Sequence, residues 1–112
     1  MINDFYQNIY NLVKLIPKGR VCTYGLIARS LGSPQASRVV GYALNKAPLV
    51  DKDIPAHRVV NRLGILSGKH HFATETQMQE LLEAENHTII NDQIQNLKKV
   101  LWNPMEEIEL PV

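Results

Sequence analysis

Pro17, Gly19, Gly32, Pro34 and Pro48 punctuate the first half of this chain so closely that any helices in it must be short. Phe5, Ile9, Leu12, Val13 and Ile16 recur at helical spacing, which predicts an amphipathic helix over about Asp4–Leu15. Pro17 and Gly19 stop it. Val21-Cys22 forms a short extended link, and Thr23 is placed to cap a second helix, about Tyr24–Leu31, that ends at Gly32. Ser33-Pro34 restarts the chain, with serine at the cap and proline at the first helical position. The third helix runs to about Asn45, with Ala36, Val39, Val40, Ala43 and Leu44 facing inward. Two short helices across a Gly-Ser turn fit a helix-turn-helix, and they fit an ordinary helical hairpin equally well.

The second half is less regular. Ala47 to Ile54, with Pro48, reads as a loop ending in Pro55. Arg58–Asn61 and Ile65–Leu66 flank Arg62-Leu63-Gly64, which predicts a small two-stranded wing. Thr74-Glu75-Thr76-Gln77 has the pattern of a capping box, and Met78, Leu81 and Leu82 supply the apolar stripe of a fourth helix ending near Asn86. Thr88–Ile90 suits a short strand. The tail from Leu97 to Val112, with Trp102, Pro104 and Pro111, shows no clear period. No repeat or linker interrupts the 112 residues, so they are expected to form one domain, with about 87–112 as a distinct carboxyl-terminal extension.

Composition removes several classes. The single cysteine, Cys22, cannot make an internal disulfide, and no second thiol stands by to complete a zinc site. No apolar run approaches the roughly 18 residues needed to span a bilayer. The amino terminus lacks the basic start and apolar stretch of a signal peptide, so the chain is expected to be soluble and cytoplasmic. The net charge of +1 conceals a strong polarity. Residues 1–72 carry ten Lys and Arg against three Asp, whereas residues 73–112 carry two Lys against eight acids. The basic part suits an anionic partner such as nucleic acid, and it also suits an unevenly charged solvated surface.

The outer face of the third helix carries Ser37, Arg38, Gly41 and Asn45. Small residues around one arginine let the backbone approach another surface while the guanidinium projects beyond it. This fits close approach to a nucleic-acid groove, or a plain helix contact with a solvated arginine. Pro55-Ala56-His57-Arg58 sets a histidine and an arginine beside a methyl group, and Ala56 offers no proton for a general base to abstract. His70-His71 could join His57 around a metal, but adjacent residues rarely ligate one ion, and no metal or other cofactor is expected. Cys22 reads as an inert buried thiol. Trp102 reads either as a core anchor or as a stacking platform for a base.

Three linked segments carry a resemblance. Ile16-Pro17-Lys18-Gly19-Arg20-Val21-Cys22-Thr23-Tyr24, Ala36-Ser37-Arg38-Val39-Val40-Gly41 and Ile54-Pro55-Ala56-His57-Arg58-Val59-Val60 resemble the DNA-binding domain of the O6-alkylguanine-DNA alkyltransferases. The family's usual motif is Pro-Cys-His-Arg, whose cysteine accepts the alkyl group; here that position is Ala56. The pattern is similar to the alkyltransferase-like proteins, which bind alkylated guanine without repairing it and mark it for nucleotide excision repair. The resemblance implies that Tyr24 turns the phosphate beside the target nucleotide. It implies that Arg38 fills the gap left by the flipped base, and that Ser37 and Gly41 lie in the minor groove. The flipped base would sit against Pro55, Ala56 and His57, supported by Arg58. Leu66 stands where the family has a pocket tyrosine, which implies a less polar wall. Ala47 replaces a hinge asparagine, and Glu85 matches a glutamate that pairs with His57 through water.

The resulting expectation is a mainly α fold with a small β wing, a winged helix-turn-helix of the alkyltransferase type. It would act as a monomer on double-stranded DNA containing O6-alkylguanine, performing no covalent chemistry and recruiting excision-repair proteins. A sequence-specific winged-helix transcriptional regulator, with the third helix in the major groove, is the alternative.

Overall fold

The apolar stripe of the first helix is the surface on which the other helices assemble. In the computed structural model, which describes residues 4–108, α1 (Asp4–Val13) buries Ile9, Leu12 and Val13. It ends two residues before the predicted boundary, where a tightened turn (Ile16 N–H to Val13 O, 3.1 Å) still delivers Ile16 to the core. α2 (Tyr24–Ser30) is capped as expected, with Thr23 Oγ1 accepting from the Leu26 N–H at 3.2 Å. α3 (Ser37–Asn45) begins later than Pro34. The Ser33 N–H still closes the end of α2 on Ala28 O at 2.9 Å, so the chain needs the turn through Ala36 before it can enter α3. Val40, Ala43 and Leu44 are buried against α1 and α2. The expected loop after Asn45 contains one helical turn, α4 (Ala47–Val50), in which Pro48 occupies a first-turn position that needs no N–H.

The wing is built from other residues than the sequence suggested. Val59–Val60 (β2) does not pair with Ile65–Leu66; it lies parallel to β1 (Cys22–Thr23), with Cys22 facing Val59 and Thr23 facing Val60. All four are buried, the condition under which short parallel strands read as plain apolar runs. Residues 61–65 instead form a tight turn in which Asn61 Oδ1 accepts from the Leu63 and Ile65 N–H groups, both at 2.9 Å. Gly64 sits there at φ +83°, and a Cβ on it would lie 2.8 Å from Ile94 Cγ2. The wing itself is the antiparallel pair β3 (Ile89–Ile90) and β4 (Gln93–Ile94), with Ile90 opposite Gln93. Asn91 and Asp92, at φ 51° and 62°, make the two-residue turn that suits the twist of a hairpin. Ile65 bridges to Gln93 from the side.

α5 (Gln77–Ala84) buries Met78 and Leu82, whereas Leu81, predicted on the same stripe, is partly exposed. The predicted capping box does not form: the helix starts at Gln77 itself, Thr76 before it makes no side-chain cap, and Gln77 Oε1 accepts from the Ala73 N–H at 2.8 Å, which closes the preceding turn instead. The tail is not loose. α6 (Leu97–Val100) and α7 (Pro104–Glu107) flank a stretch stitched to Val21 by two backbone bonds of 2.9 and 2.7 Å. Arg20 fixes it further, donating to Val100 O, Leu101 O and both oxygens of the Glu107 carboxylate. Trp102 is 5% exposed in the core of α1–α3, so it anchors the tail and is not available to stack on a base. Glu109 and Pro111 lie outside the described residues. A second apolar group, including Val60, Leu66, Met78, Leu82 and Ile94, joins α5 to the wing. Among the described residues no helix is long and apolar enough to cross a membrane. The architecture is mainly helical, with α2–α3 as a helix-turn-helix beside a small β wing, as expected.

Candidate nucleic-acid interface

The exposed face of α3 forms one wall of an open groove of about 390 Å³. Tyr24, Ser37, Arg38 and Gly41, named from sequence as DNA-binding residues, all line it. Ser67 and Gly68 form the opposite wall. The floor is narrow for a specific reason. The Tyr24 ring passes 3.9 Å from where a Cβ on Gly41 would be, and its hydroxyl 2.9 Å from where one on Gly68 would be. A side chain at 68 would displace the tyrosine. Burial raises the Tyr24 pKa against a hydrogen bond with the Ser67 side chain, so at neutral pH the phenol stays protonated and able to donate. Arg38 is exposed and makes no salt bridge among the described residues. It stands free above the small side chains around it.

Beyond the Tyr24 side of this groove lies a larger cavity of about 700 Å³. Pro55, Ala56, His57 and Arg58 line it, on a single 3₁₀ turn (Ala56–Arg58) held between Pro55 and β2. A narrow gap of about 30 Å³, bounded by Tyr24 and Ala56, lies between cavity and groove. His71 borders all three spaces, and Phe72 borders the cavity and the gap. Leu66 does not join them. It is 1% exposed within the second apolar group, so the lining near Ser67 comes from Gly68, His71 and Phe72. No periodicity marked His71 or Phe72; the available signal was their place just after Ser67-Gly68.

Glu85 is the electrostatic hub behind the Ala56 turn. Its carboxylate accepts from Arg58 Nε at 3.0 Å and from a terminal Arg58 nitrogen at 2.8 Å. His57 Nε2 lies 2.9 Å from Glu85 Oε2, a direct contact in place of the expected water bridge. Arg58 also donates to Ile16 O at 2.8 Å, so one guanidinium ties the turn to α5 and to the end of α1. Burial pushes the Glu85 carboxyl up, but the Arg58 and His57 hydrogen bonds and charges outweigh it and bring the pKa down to about 2. His57 and Arg58 are thus held by an ionised partner. Cys22 is fully buried, and that burial pushes its thiol up to about 12, so it supplies no thiolate at neutral pH. Among the described residues no group of three His, Cys, Asp or Glu side chains converges as metal ligands would.

Comparison with known proteins places this geometry. The family profile of the 6-O-methylguanine DNA methyltransferase DNA-binding domain matches residues 4–87. Alkyltransferase-like protein 1 of Schizosaccharomyces pombe is 36% identical over 107 residues, covering 92% of this chain and 98% of that protein. A DNA base-flipping protein of Vibrio parahaemolyticus is 37% identical over 103 residues, covering 92% of this chain and all of that one. Among solved structures, S. pombe Atl1 in complex with damaged DNA containing O6-carboxymethylguanine superposes with a TM-score of 0.79. That match has 33% identity and spans 93% of this chain and 99% of Atl1. The chain spans 48% of the methylated-DNA–protein-cysteine methyltransferase of Methanosarcina acetivorans, to which it is 39% identical over 79 residues.

Proposed function

This chain belongs to the family of 6-O-methylguanine DNA methyltransferase DNA-binding domains, and from that premise we propose that it binds O6-alkylguanine in duplex DNA and flips it out without taking its alkyl group. The observation that carries the reading is Ala56. It occupies the position of the family's acceptor cysteine, on a turn that opens into a cavity beside the small-residue face of α3. A methyl group there has no lone pair with which to attack. Cys22, the one thiol of the chain, is buried in the core.

The energetics favour a sensor. Flipping a base costs a few kcal/mol, and less where pairing is already weak. An alkyl group on O6 removes the N1 proton and spoils the pair with cytosine. Burying the group beside Ala56, Pro48 and Phe72 recovers roughly 0.8 kcal/mol per methylene-sized unit. Together these effects give one or two tenfold steps of preference, at about 1.4 kcal/mol each. Contacts from the basic residues to phosphates supply further affinity that falls with salt. In this reading Tyr24 turns a phosphate, Arg38 fills the gap in the stack, and Ser37 and Gly41 lie against the minor groove. The base rests against Pro55, Ala56 and His57. Arg58 and Glu85 hold that turn in shape. The protein acts as a monomer in the cytoplasm, and the lesion, still alkylated, is passed to nucleotide excision repair. A transcriptional regulator would need no cavity beside its recognition helix.

The chemical half of this proposal is tested by incubating the protein in excess with a duplex carrying O6-methylguanine labelled in the methyl group. The label is expected to stay wholly with the DNA. Label recovered on the protein would mean that another side chain accepts the methyl group.

A further inference from the structure

We propose that Tyr42 is a second DNA-inserting side chain: a stacking wedge, one helical turn from Arg38, that enters the minor groove about two base steps from the flipped nucleotide. This rests on the reading of α3 as the DNA-facing helix. Tyr42 is 51% exposed, and it is the only exposed Phe, Tyr or Trp among the described residues. The others are buried or half-buried, and among the described residues the one close ring pair is Tyr6 with Tyr10. Tyr42 takes no part in that pair or in either apolar group. An aromatic ring left in water without partners gains most from burial against another surface.

Its position selects that surface. Arg38 lies four residues before Tyr42 and Asn45 three after it, so the three share one helix face, and all line the groove with Gly41. Ser37 and Gly41 keep the helix surface low. Arg38 and Tyr42 are the long side chains that rise above it. Side chains at this spacing start about 5–6 Å apart. Base pairs stack about 3.4 Å apart, so the two side chains meet the duplex roughly two steps from each other. Minor-groove proteins insert apolar side chains between base steps, partly unstacking them and bending the duplex. An aromatic ring does this with little regard to sequence, since every base has a π face. The occupant is duplex DNA and not a protein, because the groove is shared with Arg38, whose guanidinium has no protein counter-ion among the described residues.

The experiment uses duplexes carrying O6-methylguanine and one fluorescent base analogue, placed either beside the lesion or at the second step on each side. Wild-type protein is expected to brighten the analogue beside the lesion and at one second-step position. Tyr42→Ala should lose the second-step signal, keep the adjacent one, bind about tenfold more weakly and melt at the wild-type temperature. Tyr42→Phe should keep both signals. Wild-type affinity and both signals in Tyr42→Ala would overturn the wedge. So would Tyr42→Phe losing as much as Tyr42→Ala, since the hydroxyl and not the ring would then make the contact. An adjacent signal without a second-step signal in wild type defeats the wedge alone; no signal at any position defeats the flipping reading beneath it.

Discussion

Replacing Arg38 by alanine is expected to weaken binding to an O6-methylguanine duplex by on the order of tenfold to a hundredfold, or about 1–3 kcal/mol, the scale of a good base contact. The melting temperature of the protein should not fall. Both expectations come from the same geometry. Arg38 is exposed on α3 and has no ion-pair partner among the described residues, so removing it breaks nothing inside the fold. Alanine is at least as good a helix former. On the DNA side, the guanidinium is the one charged group that α3 presents to the groove, on a face made low by Ser37 and Gly41, and under the proposed function it would replace the missing base. The loss should be larger for the lesion duplex than for an unmodified one, where only a phosphate attraction disappears. Fluorescence anisotropy with both duplexes measures this. Wild-type affinity for the lesion duplex would remove Arg38 from the mechanism.

Glu85→Gln should have the largest effect on stability, a loss of about 3 kcal/mol that lowers the melting temperature by roughly 10 °C or more. The Glu85 side chain is 9% exposed; it is the counter-charge of Arg58, 17% exposed, and hydrogen-bonds to His57, 13% exposed. A neutral amide leaves the Arg58 guanidinium largely buried without a counter-charge. The pH dependence follows from the same carboxylate. Its pKa falls from the ordinary 4.5 to about 2 on folding. Above pH 4.5 the stabilisation is fully present. As the pH drops toward 2, the unfolded chain takes up the proton first, and the stabilisation, about 3 kcal/mol, is lost. His87 adds an earlier decline. Burial lowers its pKa below the ordinary 6.5, and its Nε2 has no hydrogen-bond partner among the described residues, so stability also falls as the pH drops below 6.5. The Glu85 charge partly offsets that lowering, so the variant should decline somewhat more than wild type in this range. The difference between their unfolding free energies should therefore not shrink until the pH falls below about 5, and it should close between pH 4.5 and 2. Parallel curves through that window would show that Glu85 carries no such charge interaction.

The helical half of the fold was legible because its signals are local. The period of Ile9, Leu12, Val13 and Ile16 placed α1, and Thr23 placed the start of α2. The small face around Arg38 pointed to a surface on which Tyr24, Ser37 and Gly41 do converge. The β parts were harder for a physical reason. Val59–Val60 is too short to show an alternation, and its partner, Cys22–Thr23, lies far away in sequence, so nothing local reports the pairing. The true wing did carry a local sign, since Asn91-Asp92 between short apolar pairs suits a two-residue hairpin turn. Leu66 was assigned to the cavity by position in a motif, which fixes a place along the chain but not the direction of the side chain. His71 and Phe72 reach the cavity from a 3₁₀ turn without periodicity, and Tyr42 stands out once the helix face is seen in three dimensions.

The most direct test of the central claim is a paired titration with two duplexes that differ by one O6-methyl group, followed by mass analysis of the DNA recovered from the complex. Tighter binding to the modified duplex, by about tenfold to a hundredfold, is expected, with the methyl group still on the guanine. Equal affinity for the two duplexes, or recovered DNA that has lost its methyl group, would contradict that claim.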